Sequence, residues 1–191
     1  MFDLGPTARR VAALLDGVGD DRLDAPTPCP DYAVRHLLGH LAGLALAFRD
    51  AARKDFGPTT DTSPEGALPT LDGDWRTALP RRLDELAAAW RAPEAWEGTT
   101  RAGGVTLPGE VAGMVALDEL LLHGWDLARA SGQEYAADEE ALRVCEALLA
   151  PTADSPDERG PFGPPVKVSD GAPLLDRVVG LSGRRPDWPG A

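Results

Sequence analysis

Residues 115–128 form a run that is apolar on almost every side of a helix, yet Glu119 and His123 stand inside it. A helix apolar all round belongs in the middle of a fold. Four residues apart, the two side chains stack on one face, about 5–6 Å from each other at Cβ. A bare carboxylate or imidazole is costly to bury, so the pair must be matched or ligated. The chain holds three histidines, and the other two, His36 and His40, lie on a second helical segment. Two His and one Glu make the ligand set of a catalytic type of zinc site, in which one position stays open for water or substrate. The run therefore predicts a helical core built around a polar centre.

In residues 32–54, taken at about 100° per residue, Val34, Leu37, Leu38, Leu41, Leu44, Ala45 and Phe48 make one stripe. His40 falls at the stripe's edge and His36 lies one turn back, toward the polar side. His40 is thus the expected third ligand, with His36 in a supporting or surface role; a site using both is the alternative. Asp118 and Asp126 could also contribute, and Asp126 shares the broad face of Glu119, where it could orient a ligand. The competing reading is that these histidines are satisfied core residues and Glu119 an ordinary helix acid.

The remaining pattern is helical as well. Segments 7–18, 73–91, 108–131, 137–150 and 173–182 carry 3.6-residue periodicity, with Thr7 and Asp31 as expected N-caps. Pro80 should kink or delay the third helix. Thr27-Pro-Cys-Pro-Asp31 reads as a rigid turn and residues 55–72 as a mobile Gly/Pro loop. Residues 97–107 read as a hairpin-like excursion with a Gly-Gly turn. The expected fold is all-α, a four-helix bundle with short accessory helices. Residues 1–151 are read as the metal-binding bundle and residues 152–191 as a proline-rich tail packing on it.

At 191 residues the chain is long enough for one well-buried core. Its 31 acids against 19 bases give a net charge of −12, which argues against nucleic acid and anionic membrane as partners. No apolar run follows positive charge near the start, and no stretch approaches a spanning helix, so a cytoplasmic protein is expected. Cys29 and Cys145 do not make a disulfide framework. Cys29 precedes a helix start, where a thiolate is favoured; the plainer reading, a small buried residue in a turn, is preferred. Trp125 reads as core rather than a pocket wall. Arg129 is a candidate contact for an anionic cofactor or substrate, with an ion pair to a nearby acid as its structural alternative.

Three strings carry a family resemblance: Thr27-Pro-Cys-Pro-Asp-Tyr-Ala-Val-Arg-His-Leu-Leu-Gly-His40, the segment from Leu107 through Asp-Glu119-Leu-Leu-Leu-His123-Gly-Trp-Asp-Leu-Ala-Arg129 to Gly132, and the closing Phe162-Gly-Pro-Pro-Val and Arg185-Pro-Asp-Trp188. They resemble an actinobacterial metal-binding group similar to the N-terminal domain of mycothiol-dependent maleylpyruvate isomerase, in the DinB-like superfamily. The resemblance implies a bundle that binds a divalent metal, zinc or alternatively nickel, through His40, Glu119 and His123. It also implies mycothiol as a small-molecule thiol partner, in a monomer or homodimer. The expected activity is thiol transfer to, or thiol-assisted isomerisation of, a small electrophile. A metal-dependent hydrolase and a non-catalytic metal-binding or stress-response protein are the alternatives. Two departures are visible: His36 stands where an acidic residue is expected, and a short proline-rich tail follows where the isomerase carries a larger C-terminal domain.

Overall fold

The computed structural model describes residues 1–63, 67–153, 155, 162–169 and 171–189. Helix α1 (Gly5–Leu14) is followed by α2 (Val34–Arg53), the short α3 (Pro58–Asp61), α4 (Trp75–Ala89), strands β1 (Thr99–Ala102) and β2 (Val105–Pro108), α5 (Gly109–Ser131), α6 (Glu139–Leu149) and α7 (Leu174–Leu181). Helices α1 and α2 each pack on both α4 and α5, which closes a four-helix bundle; α6 packs on α5, and α7 on α6. The expected all-α fold is therefore the observed one. No helix among the described residues is long and apolar enough to cross a membrane.

The apolar stripe of α2 turns inward as its spacing requires: Val34, Leu37, Leu38, Leu41, Leu44, Ala45 and Phe48 are all buried. They meet Leu79, Leu83 and Leu86 of α4 and Leu117, Leu120 and Leu121 of α5 in one core. Helix α2 stops at Lys54, which takes a left-handed conformation (φ 56°). A lysine there is uncommon, and its side chain gives a reason for it. Lys54 Nζ reaches the carbonyls of Glu97 (3.0 Å) and Thr99 (3.2 Å), tying the hairpin to the end of α2.

Several helix starts differ from expectation. Helix α1 begins before Thr7, at Gly5-Pro6, because proline suits a first turn and the Asp3 carboxylate accepts the Gly5 N–H at 2.8 Å. Thr7 is buried inside the helix. Helix α2 begins at Val34 rather than after Asp31. Its Ala33 N–H is accepted by the His36 ring at Nδ1, 3.2 Å away, so the histidine caps the helix that carries it. Asp31 belongs to the preceding turn, where Thr27 Oγ1 lies 2.9 and 2.7 Å from the carbonyls of Cys29 and Tyr32. Pro80 lies within α4. The 55–72 loop contains α3, while residues 64–66 fall outside the described residues, as do 154, 156–161 and 170 of the tail.

The hairpin forms where expected, with Thr99 opposite Pro108 and Ala102 opposite Val105. Gly103 and Gly104 both have positive φ (60° and 78°), the pairing that a two-residue hairpin turn requires. The Gly104 N–H donates to the Thr60 carbonyl at 2.8 Å, so the tip leans on α3. At Gly39 the backbone of Thr70 comes so close to α2 that a Cβ would sit 2.5 Å from the Thr70 oxygen. These contacts gather α2, α3, the hairpin and α5 around one space beside His40.

Candidate metal centre

Glu119 and His123 lie one turn apart on α5, and His40 faces them from α2. One oxygen, Glu119 Oε2, lies 3.0 Å from His40 Nε2 and 3.2 Å from His123 Nε2. The ligand atoms that the three residues offer all lie within 4.8 Å of one another. The imidazole rings meet edge to face, with centroids 4.7 Å apart. The side chains of His40, Glu119 and His123 are 16, 21 and 10 % exposed, so the cluster lies at the base of a recess rather than on the surface.

A buried pair of charges, Asp126 and Arg184, fixes the orientation of His123. Its Nδ1 lies 2.9 Å from Asp126 Oδ2, and Asp126 is fully buried. Arg184, three residues beyond α7, donates to both oxygens of that carboxylate, at 2.8 Å from Nε and 2.9 Å from Nη2. Arg184 Nη1 also lies 3.1 Å from the Ser182 hydroxyl. Burial alone would raise the Glu119 carboxyl. Hydrogen bonds from His123 and His40 outweigh it and hold the group well below the usual carboxylate range. Burial would lower the His123 pKa, but Asp126 and then Glu119 push it up to about 9. The Asp126 carboxyl, which burial would raise, is held low chiefly by the charge of Arg184.

These residues fit a divalent cation. With Asp126 accepting from Nδ1–H, His123 turns the lone pair of Nε2 toward Glu119 and His40, the tautomer a ligand needs. Tetrahedral coordination at about 2.1 Å sets neighbouring ligand atoms about 3.4 Å apart, close to the 3.0 and 3.2 Å that separate Glu119 Oε2 from the two imidazole nitrogens. In the absence of a cation, bonds from both ring nitrogens to carboxylates require the imidazolium, so a proton and a metal compete for the same place.

The other candidates divide sharply. Asp118 is buried and faces Cys145 instead of the cluster; burial, then Glu119, pushes its carboxyl up to about 7. Its Oδ1 has no hydrogen-bond partner among the described residues. Cys29 is raised to about 11, by burial first and then by Asp126, which agrees with the plainer reading of a neutral thiol. Trp125 is buried. Arg129 stands apart, its guanidinium donating to the Trp188 carbonyl of the tail. Sequence reasoning missed Arg184 and also Tyr32, whose ring centre is 5.4 Å from that of His40. Residues of the 55–72 loop also reach the site. With α2, the hairpin and α5 they enclose a cavity of about 590 Å³ whose lining includes His40 and Glu119.

The sequence profile of the mycothiol maleylpyruvate isomerase N-terminal domain matches residues 4–128. The chain belongs to this family. Two proteins of Mycobacterium tuberculosis, both named as uncharacterized, one from strain CDC 1551 / Oshkosh and one from strain ATCC 25618 / H37Rv, are each 30 % identical over 188 residues. Each match covers 91 % of this chain and 91 % of the relative. Two crystal structures of mycothiol-dependent maleylpyruvate isomerase, one of them a mutant, share the fold. Their TM-scores are 0.62 and, for the mutant, 0.69, at 20 % identity, covering 96 % of this chain and 88 % of theirs. That coverage carries the likeness past the bundle into the tail, narrowing the difference expected there. The profile match takes in the three clustered residues and Asp126 but ends well before Arg184.

Proposed function

We propose that His40, Glu119 and His123 bind one divalent metal, zinc or alternatively nickel, and that the protein uses it with a thiol of the mycothiol type to transfer that thiol to, or isomerise, a small electrophile. The observation that carries this reading is the convergence of two imidazole Nε2 atoms on one carboxylate oxygen beside a cavity. A divalent cation supplies Lewis acidity there and lowers the pKa of an approaching thiol or water, which makes it nucleophilic near neutral pH. In this reading, Asp126 keeps the proton of His123 on Nδ1 and leaves Nε2 to the ligand. Arg184 keeps Asp126 ionised and in place. Glu119 contributes the one negative charge among the three ligands. The apolar walls keep bulk water from the electrophile. The cavity favours a catalytic site over a store whose ligands are saturated. The family's name supports mycothiol as the thiol. Residues 1–151 are the working bundle and residues 152–191 an appendage that supports it.

Elemental analysis tests the metal assignment. Wild-type protein should carry about one metal per chain, and the His40→Ala/His123→Ala variant should carry none. Stoichiometric metal in a folded double variant refutes the site. Calorimetric titration of the metal-loaded protein with mycothiol should give saturable heat. Absence of heat at millimolar thiol leaves the non-catalytic metal-binding reading.

A further inference from the structure

The cavity beside the cluster has mostly apolar walls. Leu44 and Phe48 of α2, Val105 and Leu107 of the hairpin, and Val115 of α5 supply apolar surface. The polar groups of its loop side are hydroxyls, those of Thr59, Thr62 and Ser63. Among the described lining residues there is no Arg and no Lys. Arg101, next to Ala102 in the hairpin, lies 2.8 Å from Asp61 and stacks near the Phe56 ring. Lys54 is bound to backbone carbonyls. Among the described lining residues the one carboxylate is that of Glu119, beside the His40 imidazole.

Maleylpyruvate, which gives the family its name, is a dicarboxylate. The cation proposed on His40, Glu119 and His123 could meet one of its carboxylates at the base of the cavity, but the other would lie against apolar walls with no cation to pair it, and a carboxylate buried unpaired is strongly disfavoured. Away from the cation a carboxylate is met most strongly by forked guanidinium contacts or ammonium groups, and the described walls have neither. A cavity of about 590 Å³ lies within the range that holds a small organic molecule. We infer that the cavity binds a predominantly apolar small molecule and discriminates against dicarboxylates. Resting on the function proposed above, this inference names the class of electrophile presented to the centre.

Gly43 gives a clean test. It lines the cavity from the middle of α2, and a Cβ built on it meets nothing within 4 Å. Gly43→Trp therefore projects a ring into the cavity without a clash at the backbone, and replacing a mid-helix glycine favours the helix. Nitrobenzene serves as the neutral probe and maleate as the dianion, with binding followed by calorimetry and metal content measured on each sample. Nitrobenzene should bind wild type saturably, bind Gly43→Trp at least tenfold more weakly, and leave metal content unchanged. Val105, 62 % exposed at the cavity's edge, offers the converse: Val105→Arg adds the missing cation and should gain maleate binding. The inference is overturned if nitrobenzene does not bind wild type, if Gly43→Trp binds it equally well, or if wild type binds maleate more tightly than nitrobenzene in a manner Gly43→Trp abolishes. Nitrobenzene binding that responds to Gly43→Trp in protein without metal would sink the metal reading and sustain this one. Metal without nitrobenzene binding would do the reverse.

Discussion

Replacing Arg184 by Met measures how far the tail governs the centre. The guanidinium holds Asp126 with two donors at 2.8 and 2.9 Å, and the carboxylate has no exposure while the Arg184 side chain retains 11 %. Methionine keeps the apolar stem but leaves a buried carboxylate with one partner, His123. Removing one member of a buried ion pair costs about 3–5 kcal/mol. The residual exposure of Arg184 admits some water, so the lower end, about 3 kcal/mol, is expected. Urea denaturation should show it as a midpoint lowered by about 1.5 M, for a slope near 2 kcal/mol/M. Metal affinity, read by competition with a chelator, should fall about 10- to 100-fold as the His123 ring loses its backing. Adding Asp126→Asn removes the stranded charge and should recover most of the stability but not the affinity, since a neutral amide is a weaker acceptor for Nδ1–H. Two results would refute this reasoning: a single variant within about 0.5 kcal/mol of wild type, or a double variant no more stable than the single.

Three further outcomes follow from the geometry. His36→Ala removes the acceptor for Ala33 N–H and should cost about 1 kcal/mol with metal content near wild type; loss of metal would make His36 a ligand. Gly39→Ala sets a Cβ against the Thr70 carbonyl and should destabilise by about 1–3 kcal/mol, whereas a neutral or stabilising result would show that the 67–72 segment yields freely. Chelator-treated protein should depend on pH through His123, whose folded pKa is raised from 6.5 to about 9. A raised value means the protonated ring stabilises the fold: the contribution is whole below pH 6.5 and disappears as pH climbs to about 9. Glu119, held below its ordinary 4.5, contributes above that pH and loses it only in strong acid. Thermal stability of the chelated protein that is flat or rising from pH 6.5 to 9 would contradict the assignment.

The parts of this protein that repeat every 3.6 residues were legible. The stripe of α2 and the run of α5 specify the bundle, and helical angle alone separates His40 from His36. The Gly-Gly pair announced the hairpin because few other residues accept two successive positive φ values. Helix starts were read less well. Thr7 and Asp31 have capping chemistry, but Pro6 and the Pro26–Ala33 bridge set the chain direction first. Arg184 was invisible for a different reason. It follows a proline-rich stretch with no period, and nothing local distinguishes it from Arg185, which pairs at the surface with Asp187. The cavity was equally hidden, since its walls come from four segments that meet only when packed.

The cluster also has an unequal history along the chain. Glu119, His123 and Asp126 ride within two turns of one helix, so their meeting needs no chain closure beyond α5 itself. His40 reaches Glu119 across 79 residues and Arg184 reaches Asp126 across 58. Closing a loop of either length costs about 4 kcal/mol in chain entropy, which an isolated α5 has no means to offset. Half of the centre can therefore exist as a local helical pair, while the complete set exists only in the native topology. Any ligand that requires all of it will bind the folded state alone and stabilise it in proportion to the logarithm of its concentration, making occupancy a measure of how much of the protein is folded.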